Sequence, residues 1–295
     1  VNRWAALWSG RESPWRLGLV RLLLGLVLVV EYAWIAHLDL VVPLFATLED
    51  GGLVEHGGSW VHAMGPWATW GTLLGASVAL LLGVAPRVAA VVLVVVGAAH
   101  GAAVPIAHRA ADQLVRDVLC VLVFAETARW GSLAAWWRTG TPLGDGGTVA
   151  AWPRRLLVVQ LVLVYVFAGL QKVDAAWWPW GGATALFVIL SDPAVARFDD
   201  GWLRAGGWPV ASVLTVATVG FQLAYPLVLV LWRTRLHTLF LVVGVGFHLG
   251  LAATMELGLF PWAMLALYPA LLRDLAPGAG PGTGSRARSW NRARS

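Results

Sequence analysis

Between Leu17 and Ala36 the chain runs through 20 residues of which only Arg21 and Glu31 are charged, and runs of this kind recur along its length. A helix needs about 20 mostly apolar residues to cross the hydrocarbon of a bilayer. Inside lipid it must satisfy every backbone N–H and C=O within itself. Further runs lie at Trp67–Val84, Val88–Ala107, Gln113–Ala128, Leu156–Lys172, Pro209–Trp232, Leu236–Thr254 and Leu259–Leu272, the fourth and the last being short. Ala183–Leu190 is apolar but too short to cross, and reads as a re-entrant or interfacial piece. Charged residues make up 13% of the chain and apolar ones 59%. A water-soluble domain carries about 25% charge, so too little polar surface exists to cover a core in water. The fold class is therefore all-α: a polytopic integral membrane helical bundle of about eight transmembrane helices. No small-residue cleavage site follows the first run, which reads as a span and not a removable signal peptide.

Charge sets the orientation. The loop from His37 to Pro66 holds Asp39, Glu49, Asp50 and Glu55 but no Lys or Arg. Arg3, Arg11, Arg16, Arg87, Arg129, Arg138, Arg154, Arg155, Arg233, Arg235 and Arg273 fall on the opposite side of an eight-span arrangement. By the positive-inside rule both termini are then cytoplasmic, leaving only Arg109, Lys172, Arg197 and Arg204 outside. Tryptophans at the span ends (Trp15, Trp67, Trp152, Trp208, Trp232) fit the same frame. The chain divides into a cytoplasmic segment at 1–14, a transmembrane domain at 15–273 and a basic, disordered cytoplasmic tail at 274–295. The basic residues are scattered between apolar runs and form no nucleic-acid face. Cys120 is the sole cysteine, which excludes an intrachain disulfide.

Ionisable groups at membrane depth are costly and need a reason. Arg21 and Arg116 read as structural, pairing with a carboxylate such as Asp117 to hold helices together. Lys172, at the end of the fifth span, differs from them: it is the single lysine among 21 basic residues. Arginine stays protonated, whereas a desolvated lysine can lose its proton and act as a base. The competing reading is a lysine snorkelling to headgroups. Tyr165, Ala168, Gly169 and Lys172 share one helical face, and the small pair admits a helix or a flat ligand. Trp177, Trp178 and Trp180 around Pro179 form either an aromatic wall for a planar headgroup or an ordinary interfacial belt. His100, His108 and His248 lack metal-ligand spacing, so no metal site is expected. No phosphate loop, nucleophile elbow or HExxH motif occurs.

The stretch Tyr165-Val166-Phe167-Ala168-Gly169-Leu170-Gln171-Lys172-Val173-Asp174-Ala175-Ala176-Trp177 resembles the vitamin K-dependent gamma-carboxylase family and, more widely, the horizontally transferred transmembrane (HTTM) proteins. Trp15 to Gly25, with Arg21 inside it, resembles the family's opening helix. Phe247-His248-Leu249-Gly250 and Glu256-Leu257-Gly258-Leu259-Phe260 resemble its late histidine helix and the turn after it. The resemblance implies an integral-membrane enzyme in which Lys172 is the base toward a reduced quinone, on the extracytoplasmic side. It implies His248 or Asp112 as proton-transfer partners, and Tyr165, Gly169, Trp177 and Trp178 around the cofactor. A lysine-poor composition rich in Ala, Gly and Arg fits a bacterial chain, for which the quinone is of the menaquinone rather than the vitamin K type. The partners implied are the lipid bilayer and an exported peptide or protein substrate, with no nucleic acid. The chain departs from the pattern at Asp112, where the carboxylases have histidine (His108 lies one turn earlier), and at Gln222, where many relatives have glutamate. The rival readings are a non-enzymatic membrane scaffold or maturation factor for an exported peptide or partner protein, and a transporter. The transporter reading lacks a matched pair of broken helices.

Overall fold

The computed structural model describes residues 8–54, 60–105 and 109–273. Arg3, Glu55, His108 and the segment 274–295 lie outside the described residues. The described chain is all-helical, apart from a two-residue antiparallel pair between β1 (Arg11–Glu12) and β2 (Val149–Ala150).

Five helices are long and apolar enough to cross a membrane, which marks the chain as a multi-pass membrane protein. They are α1 (Trp15–His37), α4 (Pro86–Ala103), α7 (Trp152–Leu170), α9 (Trp208–Ala224, with the turn Leu203–Gly207 before it) and α11 (Arg235–Thr254). Helices also stand at the other three expected spans, but they are shorter. These are α3 (Pro66–Leu82), α5 (Ala110–Phe124) and α12 (Phe260–Leu267), the last continued by a 3₁₀ turn at Tyr268–Leu271. The 15 residues of α5 rise about 22 Å, less than the roughly 30 Å of hydrocarbon, and its first two turns carry Asp112, Arg116 and Asp117. The short helices α2 (Val41–Phe45), α6 (Leu133–Thr139), α8 (Ala185–Leu190) and α10 (Leu227–Val230) fill the connections. The apolar piece expected at Ala183–Leu190 is α8, six residues long.

Proline sets many of the starts. Pro66, Pro86, Pro153, Pro209 and Pro261 each stand in a first turn, where a missing N–H is no loss. Each long helix then buries one stripe and leaves the other bare. On α1 the stripe is Leu17, Val20, Arg21, Leu24 and Leu28, while Leu26, Val30 and Trp34 remain exposed. On α4, Val88, Val91 and Val95 form a bare apolar row. Rows of this kind suit lipid, not water.

The central helix α1 packs on α3, α12 and the 3₁₀ turn after α12, while α7 packs on α5, α9 and α12. Arg21 is fully buried, and its partners are carbonyls rather than the expected carboxylate. It donates to Leu80 O at 2.5 Å, Leu81 O at 2.6 Å and Gly131 O at 2.5 Å. Two of these belong to the C-terminal turn of α3, whose carbonyls have no partner within the helix and attract positive charge. Asp117 instead bonds Gln113 Nε2 at 2.8 Å, and Arg116 donates to Gln113 Oε1. A second buried cluster closes the same end of the bundle. Glu12 accepts from Arg154 Nε at 2.7 Å and from Arg16 at 3.2 Å, and these arginines also hold Ala270 O and Leu272 O.

Candidate functional site

Helix α7 ends at Leu170, so Lys172 stands two residues beyond the span. Its backbone N–H donates to Gly169 O at 3.1 Å, and its side chain folds back so that Nζ donates to Ala168 O at 2.8 Å. The ammonium lies 4.8 Å from the centre of the Trp177 ring. Among the described residues no carboxylate comes within ion-pair distance of Nζ. Burial with no opposing charge pushes the Lys172 amine below the usual lysine range.

The loop after Lys172 is built to hold this position. Asp174 caps a 3₁₀ turn by accepting from the Ala176 N–H at 2.8 Å. Trp178 donates its indole N–H to Lys172 O at 2.9 Å and stacks on Trp180 with ring centres 4.9 Å apart. The chain then reverses and lays α8 against α9, where the Leu186 N–H donates to Thr215 Oγ1 at 3.2 Å.

Together these elements enclose a cavity of about 240 Å³ lined by Lys172, Trp177, Ala168, Tyr165, Thr218, Gln222, Phe247, His248 and Phe260, with aliphatic side chains completing the wall. Tyr165 is buried, and its hydroxyl bonds His248 Nε2 at 2.7 Å and the Tyr268 hydroxyl at 2.6 Å. The ring of Tyr225 stacks on that of Tyr165 at 3.8 Å. Two deeply buried polar atoms of the cavity residues, His248 Nδ1 and Gln222 Oε1, have no hydrogen-bond partner among the described residues. Such atoms are rare, because leaving a buried polar group unsatisfied costs about 1–3 kcal/mol.

The residues expected from the sequence thus divide. Lys172, His248, Tyr165 and Trp177 line one cavity. Trp178 supports it from behind through the bond to Lys172 O. Gly169 faces α9: a Cβ there would lie 2.9 Å from Leu223 and 3.2 Å from the Cβ of Gln222, so the glycine admits a helix and seats Gln222. Asp112 stands apart. It accepts from the Arg109 backbone N–H at 2.7 Å and lines a different cavity with Glu31, Tyr32, Arg109 and Arg116.

Tyr268, Tyr225 and Gly244 carry no sequence signal pointing to this cavity. A Cβ on Gly244 would fall 1.9 Å from the Tyr268 hydroxyl, so α11 offers glycine where that hydroxyl must pass. Gly244 precedes His248 by four residues on α11, and this one-turn spacing is the only hint of the link.

The HTTM domain matches residues 11–274. The chain belongs to the HTTM family. That domain is shared with vitamin K-dependent gamma-carboxylase, and in this HTTM chain the match extends from β1 to just past the 3₁₀ turn that closes α12. No curated protein and no solved structure matches the chain.

Proposed function

We propose that this HTTM protein is an integral-membrane enzyme in which Lys172 takes a proton from a reduced quinone of the menaquinone or vitamin K type. The reading is supported by one arrangement: a half-buried amine with no acidic partner among the described residues shares a mostly apolar cavity with His248. A flat aromatic face at Trp177, apolar walls and two polar atoms lacking partners suit a bicyclic, oxygen-bearing headgroup. When bound, a reduced quinone supplies an acidic hydroxyl and the reducing electrons.

The protein's own groups do the rest. The Ala168 carbonyl accepts from Nζ whether the amine is charged or neutral, so Lys172 keeps its place while it gains or loses a proton. Trp178 fixes the backbone from which that side chain springs. Tyr268 and Tyr165 orient the imidazole of His248. With Tyr268 donating to Tyr165 and Tyr165 to Nε2, the proton of the ring sits on Nδ1, a buried donor with no partner among the described residues.

The proposal includes eight crossings with both termini cytoplasmic, which places Lys172 on the extracytoplasmic side. The arginine distribution and a helix at each of the eight places support it. The test is anaerobic binding of a reduced menaquinone analogue to wild type, Lys172→Met and Lys172→Arg, followed by oxygen uptake. Binding in all three with uptake in wild type alone is the expected result. Absence of binding to wild type overturns the proposal.

A further inference from the structure

A third cavity, of about 340 Å³, opens between the first turn of α4 and the segment that follows α5, and its lining includes Arg87, Arg129, Arg138 and Thr127. It shares no residue with the Lys172 cavity. The residue before α4, Ala85, offers no side-chain cap to the first-turn amides of this 18-residue helix. A helix start in this state carries partial positive charge and suits an anion.

The arginines reinforce it. Among the described residues Arg87 uses Nε alone, on Ala125 O at 3.3 Å. Arg138 uses Nε on Ala134 O at 2.9 Å and one terminal nitrogen on Ala128 O at 3.0 Å. Arg129 uses Nε on Glu126 at 2.7 Å. Each therefore keeps terminal N–H groups to offer. Two acids stand here as well: Glu126, which lines the cavity, is held by Arg129 Nε, and Asp145 accepts from the Gly147 N–H at 3.0 Å and lies within the field of Arg129 and Arg138. Thr127 is 1% exposed, and its hydroxyl has no partner among the described residues. Val88, which lines the cavity, is 63% exposed, and Phe124 and Trp137, next in sequence to the lining residues Ala125 and Arg138, are 68% and 67% exposed.

We propose that this cavity holds the phosphate of an anionic phospholipid, with its acyl chains along Val88 and Phe124. Guanidinium forks and a helix start both match phosphate oxygens, and the bare apolar flank favours a lipid-borne phosphate over a free one. The sequence places this end of the bundle at the arginine-rich, cytoplasmic face, where anionic headgroups attract basic residues.

The test uses the full chain in a neutral detergent and follows its melting temperature during titration with dioctanoyl phosphatidylglycerol, dioctanoyl phosphatidylcholine or inorganic phosphate. Phosphatidylglycerol should stabilise wild type. Its apparent affinity should fall about fivefold for each arginine lost in Arg87→Gln and in Arg87→Gln/Arg138→Gln. Arg273→Gln, outside the cavity, should titrate like wild type. Should the double variant fail to fold, the exposed Arg87→Gln change carries the comparison. A double variant, or the single one in its place, that titrates like wild type overturns the site, as does equal stabilisation by phosphatidylcholine. Equal stabilisation by inorganic phosphate overturns the lipid as the ligand.

Discussion

The Tyr165 hydroxyl lies 2.7 Å from Nε2 of His248, across 83 residues of sequence, and the contact is buried. It joins α7, which leads to Lys172, with α11, which carries the histidine. Tyr165→Phe keeps the ring and its stack on Tyr225 but releases the imidazole. Oxygen uptake with a reduced menaquinone analogue should fall about tenfold to a hundredfold, while the melting temperature drops by only a few degrees. Unchanged turnover in this variant would mean that the tyrosine has no part in orienting His248.

Gly244→Ala tests the same network from its far end. The added methyl would meet the Tyr268 hydroxyl, and overpacking of this kind costs about 1–3 kcal/mol. The gain in helix propensity from Gly to Ala, about 1 kcal/mol, offsets only part of it. Thermal melts should show net destabilisation, whereas Gly246→Ala, with open space around it, should be neutral or stabilising.

Lys172 also leaves a signature in stability. The folded chain lowers its proton affinity, while the unfolded chain binds a proton up to the ordinary lysine value of 10.5. The unfolded state therefore holds more protons between the depressed folded value and 10.5, and stability rises with pH across that window. Below it, the charged amine in a buried site is a constant penalty. Lys172→Met should melt higher than wild type at pH 7, with a gap that narrows as pH approaches 10. A gap independent of pH would show that the lysine is as well solvated folded as unfolded.

Arg21→Met should be among the most damaging single changes in the chain. It takes the shared donor from Leu81 O and Gly131 O and one of two donors from Leu80 O, which the Gly83 N–H also reaches, and removing the partner of buried polar groups costs about 3 kcal/mol or more. Asp117→Asn, whose carboxylate does not reach Arg21, should change the melting temperature little. Equal effects of the two substitutions would contradict the carbonyl-capping role.

Much of this was legible in the residues. Apolar runs marked every long helix, because lipid leaves hydrophobic length as the main constraint. Lys172 and Trp177 could be paired because only four residues and one turn separate them. What joins α7 to α11 and α12 could not be read, since Tyr165, His248 and Tyr268 meet only through packing that no local pattern encodes. The partner of Arg21 was missed for a related reason. A carboxylate is visible in a sequence as a candidate for an arginine, whereas a helix-end carbonyl becomes one only when the fold brings it near. The resemblance implies a histidine where this chain has Asp112, yet the Asp112 side chain serves the start of its own helix.

Lys172 is the sole lysine in the sequence, so biosynthetic ¹³C,¹⁵N-lysine gives a single set of side-chain resonances that can be titrated directly in the purified protein. The expected midpoint lies below 10.5 and shifts when a reduced menaquinone analogue is added without oxygen. A midpoint at or above 10.5 that the quinol leaves unmoved would mean that Lys172 is an ordinary solvated cation and not the base of this site.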